Sequence, residues 1–278
     1  MADTSAAARA RPDVPPAFGQ IVCGVEGSRS DHVAVEQAIA LSGPSTALVF
    51  ICVHESRGSG ATRQATISTE RAERALREAV KAARDAGVDA AAELLPGGDP
   101  SSVLLAEASH ADLLVLASHV GSRAGGVALG GTASTAVHRA NVPVLVARRP
   151  PEGVPFLGRI LVATDGSADA ERAVELAARI GHRHGSRVYL LSVDPEPHGD
   201  PKQIAVDAVN LTAELGSDPI MLRSTGHAHE RILGTAAAES VSLVAVGSRG
   251  LTGLSALGSV SERVAHRARC SVLVARPA

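Results

Sequence analysis

The sequence predicts a doubly wound α/β protein built from two repeated domains, each a parallel sheet with helices on both faces. Three observations carry that expectation. Short continuous Val/Ile/Leu runs such as Asp112–Ala117 alternate with helix-period segments, the pattern of a parallel sheet buried on both sides. The alternation restarts after Arg148-Arg149-Pro150-Pro151-Glu152-Gly153-Val154-Pro155, a linker by composition. Whole segments then recur in order: Arg159–Ser167 mirrors Gln20–Ser28, and His266–Arg276 mirrors His138–Arg148.

In the first repeat, Gln20–Val25 reads as a buried strand, Glu26-Gly27-Ser28 as a turn and Asp31–Leu41 as a helix. Thr46–Val53 is the second strand and Ser56–Ser68 a polar loop. Thr69–Ala86 is a charged amphipathic helix that stops at Gly87. Ala90–Leu95 is a weak third strand. Pro100–Ser109 is a helix with Pro in its first turn and Asp99 as its cap. Strand Asp112–Ala117, a glycine loop, a helix near Thr132–Ala140 and strand Val142–Ala147 complete the repeat. In the second repeat Arg187–Val193 mirrors Thr46–Val53, Arg231–Ser240 mirrors the third helix, and Leu243–Gly247 mirrors Leu113–Ala117. The expected organisation is a disordered tail over 1–17, a domain over 18–148, a linker over 149–157 and a domain over 158–278.

Composition narrows the function classes. The 278 residues are 45% hydrophobic but only 1% aromatic, with no Trp, so the core must be Ala, Val, Leu and Ile. Single-strand nucleic-acid binders need aromatic stacking platforms, and a net charge of −2 offers no footprint for nucleic acid or an anionic membrane. No apolar run reaches the roughly 18 residues of a membrane span. Cys23, Cys52 and Cys270 fall in or beside strands, which fits inert core thiols in a reducing cytoplasm. The tail lacks the apolar core of a secretory signal.

The stretch richest in chemistry runs from Val246-Gly247-Ser248-Arg249-Gly250-Leu251 to Gly258-Ser259-Val260-Ser261-Glu262. A strand enters a glycine turn, and a second glycine with a hydroxyl beside it opens a helix. Glycines admit close backbone approach, and a helix start offers free N–H groups to an anion. Ser259 and Glu262 also fit a capping box, so a phosphate cradle and a plain strand–turn–helix are even readings of these residues. On a doubly wound sheet, ligands bind outside the carboxyl ends of the strands. The turn after the first strand (Glu26, or Asp165-Gly166-Ser167) and the loop after the fourth strand therefore converge on one crevice.

With these segments the sequence resembles a tandem universal stress protein. The carrying residues are Ile160–Ser167, Val246–Gly250, Gly258–His266 and Ser271–Val274, and the resemblance runs twice through the chain after the tail. It implies five-stranded Rossmann-like domains of the adenine nucleotide α-hydrolase-like kind, paired domains or dimers, and binding of ATP with Mg²⁺; it does not imply turnover. By resemblance Thr164, Asp165, Gly166 and Ser167 face the ribose or phosphates, Asp165 through Mg²⁺. Val193 offers backbone to adenine, and Gly247, Ser248, Arg249, Gly250, Gly258, Ser259, Val260 and Ser261 hold ribose and phosphates. The family's ATP pattern is Gly-x2-Gly-x9-Gly-Ser/Thr. Gly247-x2-Gly250 matches it, but only the seven residues Leu251–Leu257 precede Gly258-Ser259, two short of the pattern.

In the first domain the corresponding residues are Val25, Glu26, Gly27 and Val53, with Glu26 in place of the Asp. Two registers are open for its glycine loop. One aligns Ala117-Ser118-His119-Val120 with Gly247–Gly250 and leads through nine residues to Gly130-Gly131. The other reads Ser118-x2-Gly121-x9-Gly131-Thr132. The first domain is thus the degenerate copy and the second the better preserved one.

The expected partners are an adenine nucleotide, the other half of the chain, a second copy as a homodimer, and unidentified proteins. The alternative is a nucleotide-independent tandem scaffold, motivated by the short loop and the degraded first copy. No catalytic residue is assigned. His182-Arg183-His184 and His227-Ala228-His229-Glu230 resemble metal-ligand spacing but read as solvated or capping residues. His138 and His266, at helix ends, complement helix dipoles.

Overall fold

The computed structural model describes residues 14–28, 30–54, 69–118, 129–194, 201–249 and 257–277. The tail reading over 1–13, the polar loop and the site residues His119, Gly121 and Gly250 lie outside the described residues. The first half runs β1 (Gln20–Gly24), α1 (Asp31–Leu41), β2 (Ala47–His54), α2 (Thr69–Asp85), β3 (Ala90–Pro96), α3 (Pro100–Ala108), β4 (Leu113–Ala117), α4 (Gly131–Arg139) and β5 (Val144–Ala147). The second runs β6 (Arg159–Ala163), α5 (Ala168–His184), β7 (Arg187–Asp194), α6 (Pro201–Glu214), β8 (Ile220–Thr225), α7 (Ala228–Ala238), β9 (Leu243–Gly247), α8 (Ser259–Arg267) and β10 (Ser271–Ala275).

The sequence leads to two five-stranded sheets that pair, and the structure fuses them into one. The order of the ten-stranded sheet is β3-β2-β1-β4-β5-β10-β9-β6-β7-β8. Pairing is parallel within each half and antiparallel at the seam, where Val144, Leu145 and Val146 face Val274, Leu273 and Val272. The carboxyl ends of the strands in the two halves therefore point to opposite ends of the molecule. Successive strand residues face opposite sides, so each buried strand feeds two cores. Ile21, Leu113, Leu145, Ile160 and Leu273 pack under α1, α2, α5 and α6. Val22, Leu114, Val146, Leu161 and Val272 pack under α3, α4, α7 and α8.

Polar groups cross the seam as well. Gln37, buried on α1, donates to the Arg148 carbonyl at 2.7 Å, and Ser271 Oγ bonds both Gln37 Oε1 (2.8 Å) and the Arg148 carbonyl (2.9 Å). Arg148 and Arg276, which follow β5 and β10, each reach into the opposite half. Arg148 Nη2 donates to the Ala265 carbonyl in the last turn of α8 at 2.5 Å. Arg276 Nη2 donates to the Val137 carbonyl in the last turn of α4, also at 2.5 Å. His138 lies between the final helices, with Nδ1 2.8 Å from the Ser134 carbonyl and Nε2 3.4 Å from Glu262. The capping box that Ser259 and Glu262 fit by spacing does not form. Gly258 is the N-cap of α8, without a side-chain cap bond. Ser259 is already helical, and Glu262 reaches for His138 across the seam instead.

Candidate functional site

The turn after the first strand is built alike in both halves. Gly27 and Gly166 hold φ near +75° and +78°, a conformation open to glycine at no steric cost. Each turn is backed by a helix: Arg71 of α2 donates to the Gly27 carbonyl at 3.0 Å, and Ile204 of α6 lies against Gly166. In the first half the Asp31 carboxylate closes the turn. Its Oδ2 accepts from the amides of Glu26 (2.7 Å), Gly27 (2.6 Å) and Ser28 (3.1 Å), and its Oδ1 from Ser28 Oγ (2.8 Å). Successive amides of this kind form an anion nest, and here the chain's own carboxylate fills it. In the second half Asp165 folds back on its own turn, accepting from Ser167 N (3.0 Å) and Ser167 Oγ (2.6 Å). Ser167 Oγ in turn caps α5 at Ala170 N.

In the first half the strand ends, α3 and α4 enclose a pocket. It brings together Val25, Glu26, Val53, Ala117, Gly130, Gly131 and Thr132 from the sequence-derived set. Gly24, Asp31, Pro100, Leu104, Leu116 and Ala133 complete its walls. Gly27 stands beside it in the β1–α1 turn. Ser118, at the end of β4, is buried and takes a backbone bond from its amide to Ala147 O (3.0 Å). Gly130 caps α4 without a side-chain bond, and a side chain placed at Gly131 would meet open space. The first amides of a helix lack intrahelical partners, so the amino end of α4 offers donors and a positive dipole end to the pocket. The amides at the start of α3 already have an acceptor: Asp99 takes those of Ser101 and Ser102. The Ser102 hydroxyl holds the Asp99 carboxyl below its ordinary value.

The second half engages the same groups internally. Asp169, at the start of α5, accepts from Ser248 Oγ and from Arg249 N (3.0 Å). Gly258 N donates to Ser248 O at 2.7 Å, and Ser261 Oγ donates to Gly247 O at 2.5 Å. Arg249 O lies 3.3 Å from Ser167 Oγ. Gly247 has a packing reason of its own, since a Cβ there would fall 2.7 Å from Ala170 N and Asp169 C. Thr164, buried just after β6, bonds Leu191 O through its amide, and Val193, the penultimate residue of β7, pairs with Ser224. Ser259 is exposed and Val260 packs at the edge of the core. Both final helices start at a glycine without a side-chain cap, and the crevices differ in that the loop of the second is knotted around Asp169.

Sequence reading missed Asp31 and Asp169. Asp31 had a local signal, because Ser28-Arg29-Ser30-Asp31 fits Ser-x-x-Asp ahead of an apolar run. Asp169 had none, since its partners Ser248 and Arg249 lie 79 and 80 positions away. Burial pushes the Cys52 and Cys270 thiols up to about 11, and pushes Cys23 up too, so all three stay protonated near neutrality. His227 is the N-cap of α7, and His182 Nδ1 sits 3.1 Å from the Gly216 carbonyl. Among the described residues no His, Cys, Asp and Glu side chains gather in a group of three or more fit for a metal ion. Nor is any described helix long and apolar enough to cross a membrane.

Two Rossmann-like repeats joined edge to edge, each with a turn and a helix start at its strand ends, define a tandem α/β protein. The chain belongs to the universal stress protein family, whose model matches residues 17–148, 157–216 and 202–276. A universal stress protein of Thermus aquaticus is 32% identical over 135 residues, which is 42% of this chain and 97% of that protein. The crystal structure of a universal stress protein from Archaeoglobus fulgidus aligns over 94% of this chain and 97% of its own, with TM-score 0.74 and 22% identity. A universal stress protein crystallised in complex with cAMP spans 45% of this chain and 100% of its own, with TM-score 0.40 and 25% identity.

Proposed function

We propose that this chain is a non-catalytic, cytoplasmic stress-response module that binds an adenine nucleotide, and that its first-half crevice is the principal site. The carrying observation is the pocket in which the amino end of α4, at Gly130–Thr132, faces the strand ends Val25, Val53 and Ala117. Apolar walls suit a purine, and an uncapped helix start suits a phosphate. Glu26 lines the same pocket and is the residue that would meet a Mg²⁺ carried by ATP. The second half fits the nucleotide less well, because Ser248, Arg249, Gly258 and Ser261 already donate to protein acceptors. We take residues 18–148 and 158–278 as the two domains, with a homodimer and protein partners completing the assembly.

Calorimetry of the purified chain with ATP, with and without Mg²⁺, tests this reading. One nucleotide per chain is expected. Gly131→Val, whose side chain enters open space, should abolish binding without lowering the melting temperature. Absence of binding at millimolar nucleotide would leave the second reading, a nucleotide-independent scaffold. That reading draws its support from the internally bonded cradle of the second half.

A further inference from the structure

The last strand of each half is followed by an arginine that serves the final helix of the other half. Arg276 is 6% exposed and Arg148 4% exposed, so both guanidinium groups are held away from water. Each donates to a carbonyl in the last turn of its target helix, Val137 of α4 or Ala265 of α8. The last carbonyls of a helix lack intrahelical partners and carry the negative end of its dipole, so a buried cation there fixes the helix end. α4 has only nine residues. Its carboxyl end is thus tied to the second half, and its amino end, Gly131–Ala133, is a wall of the first-half pocket.

We propose that Arg276 is a positioning residue for the first-half crevice: by tethering the carboxyl end of α4 to the second half, it sets where the amino-terminal amides of α4 stand against the ligand. This rests on the reading that the crevice binds a nucleotide. The surroundings of Arg276 extend the connection. Burial lowers its pKa, while the Asp169 carboxylate favours its charge and Arg249 opposes it. Asp169 is the group that ties Ser248 and Arg249 to α5. An opening of that knot in the second half would change the charges around Arg276 and, through α4, the first crevice. Arg148 occupies the equivalent place in the seam but holds α8, so it supplies a matched control.

The test uses the full chain with ATP-Mg²⁺ as probe, comparing Arg276→Met, Arg276→Lys and Arg148→Met by calorimetry. Hydrogen exchange of the α4 amides is followed in the same proteins. Gly131→Val identifies the share of binding that belongs to the first crevice. Arg276→Met should weaken that binding on the order of tenfold and speed exchange in the last turn of α4. Arg276→Lys should recover part of both. Arg148→Met should leave ATP affinity near the parent value and speed exchange in α8 instead. Equal loss of affinity in the two Met variants would assign the effect to general stability and overturn the proposal. Unchanged exchange in α4 of a folded Arg276→Met protein would overturn it as well. If the Met variant does not fold, the Lys variant is read against the same two outcomes. A parent chain that binds no ATP refutes the nucleotide reading separately, and α4 exchange then decides whether Arg276 holds the helix.

Discussion

Single residues decide how the two crevices differ. Asp31 is acceptor to three amides and a hydroxyl, so Asp31→Ala strands several donors at the pocket edge. A cost of about 1–3 kcal/mol is expected from urea denaturation, and Asp31→Asn, which keeps one carbonyl oxygen, should lose less. Glycines separate in the same way. Gly247→Ala brings a methyl within 2.7 Å of the α5 backbone, an overpacking that should cost about 1–3 kcal/mol. Gly131→Ala, in open space, should leave the urea midpoint close to the parent value. The sequence marked both glycines alike, because a glycine needed for helix–strand approach and one that leaves room for a ligand look the same in a string. Asp31 carried a local signal in its spacing to Ser28, though it was not read as part of the site. Asp169 carried none, because its meaning comes from a loop far along the chain.

Elements were legible where burial is one-dimensional. Strands such as Leu113–Ala117 and Leu243–Gly247 are apolar at every position because helices cover both faces, and that run needs no tertiary knowledge to read. Helix ends were less legible. Ser259-x-x-Glu262 obeys the capping rule, yet Gly258 takes the cap and Glu262 serves His138, because α8 starts against β9 and lies beside α4. On α5, Glu175 bridges Arg172 (2.6 Å) and Arg179 (2.8 Å). Burial alone would raise its pKa, but the two arginines together bring it below the ordinary 4.5. A depressed carboxylate stabilises the fold above its unfolded pKa and loses that contribution as pH falls through the folded one. The melting temperature should therefore drop as pH is lowered below about 4.5, and Glu175→Gln should flatten that drop while lowering the neutral-pH value slightly.

At the scale of the molecule the seam was the illegible part. Val-Leu-Val-Ala ends both halves and reads as any buried strand, so nothing local says that β5 and β10 meet, or that they run antiparallel. The repeated arginines Arg148 and Arg276 were visible as a match, but their reach into the opposite half depends on the join. A fragment spanning 14–148 exposes the β5 edge, and an unpaired apolar edge seeks a partner. Light scattering should find it dimeric, and a monomer would count against the two halves as separable domains. The seam is also where the two halves stop being equivalent. Gln37 bonds Ser271 and the Arg148 carbonyl, while the repeat places Leu176 and Pro143, both buried, at the matching positions. Two separate half-length chains meeting on a symmetry axis would have to use every such position twice, so a polar choice on one side would be copied on the other. Covalent fusion lifts that constraint. Each side of the join can accept substitutions the other does not share, and one crevice can change its chemistry while its twin keeps the sheet together.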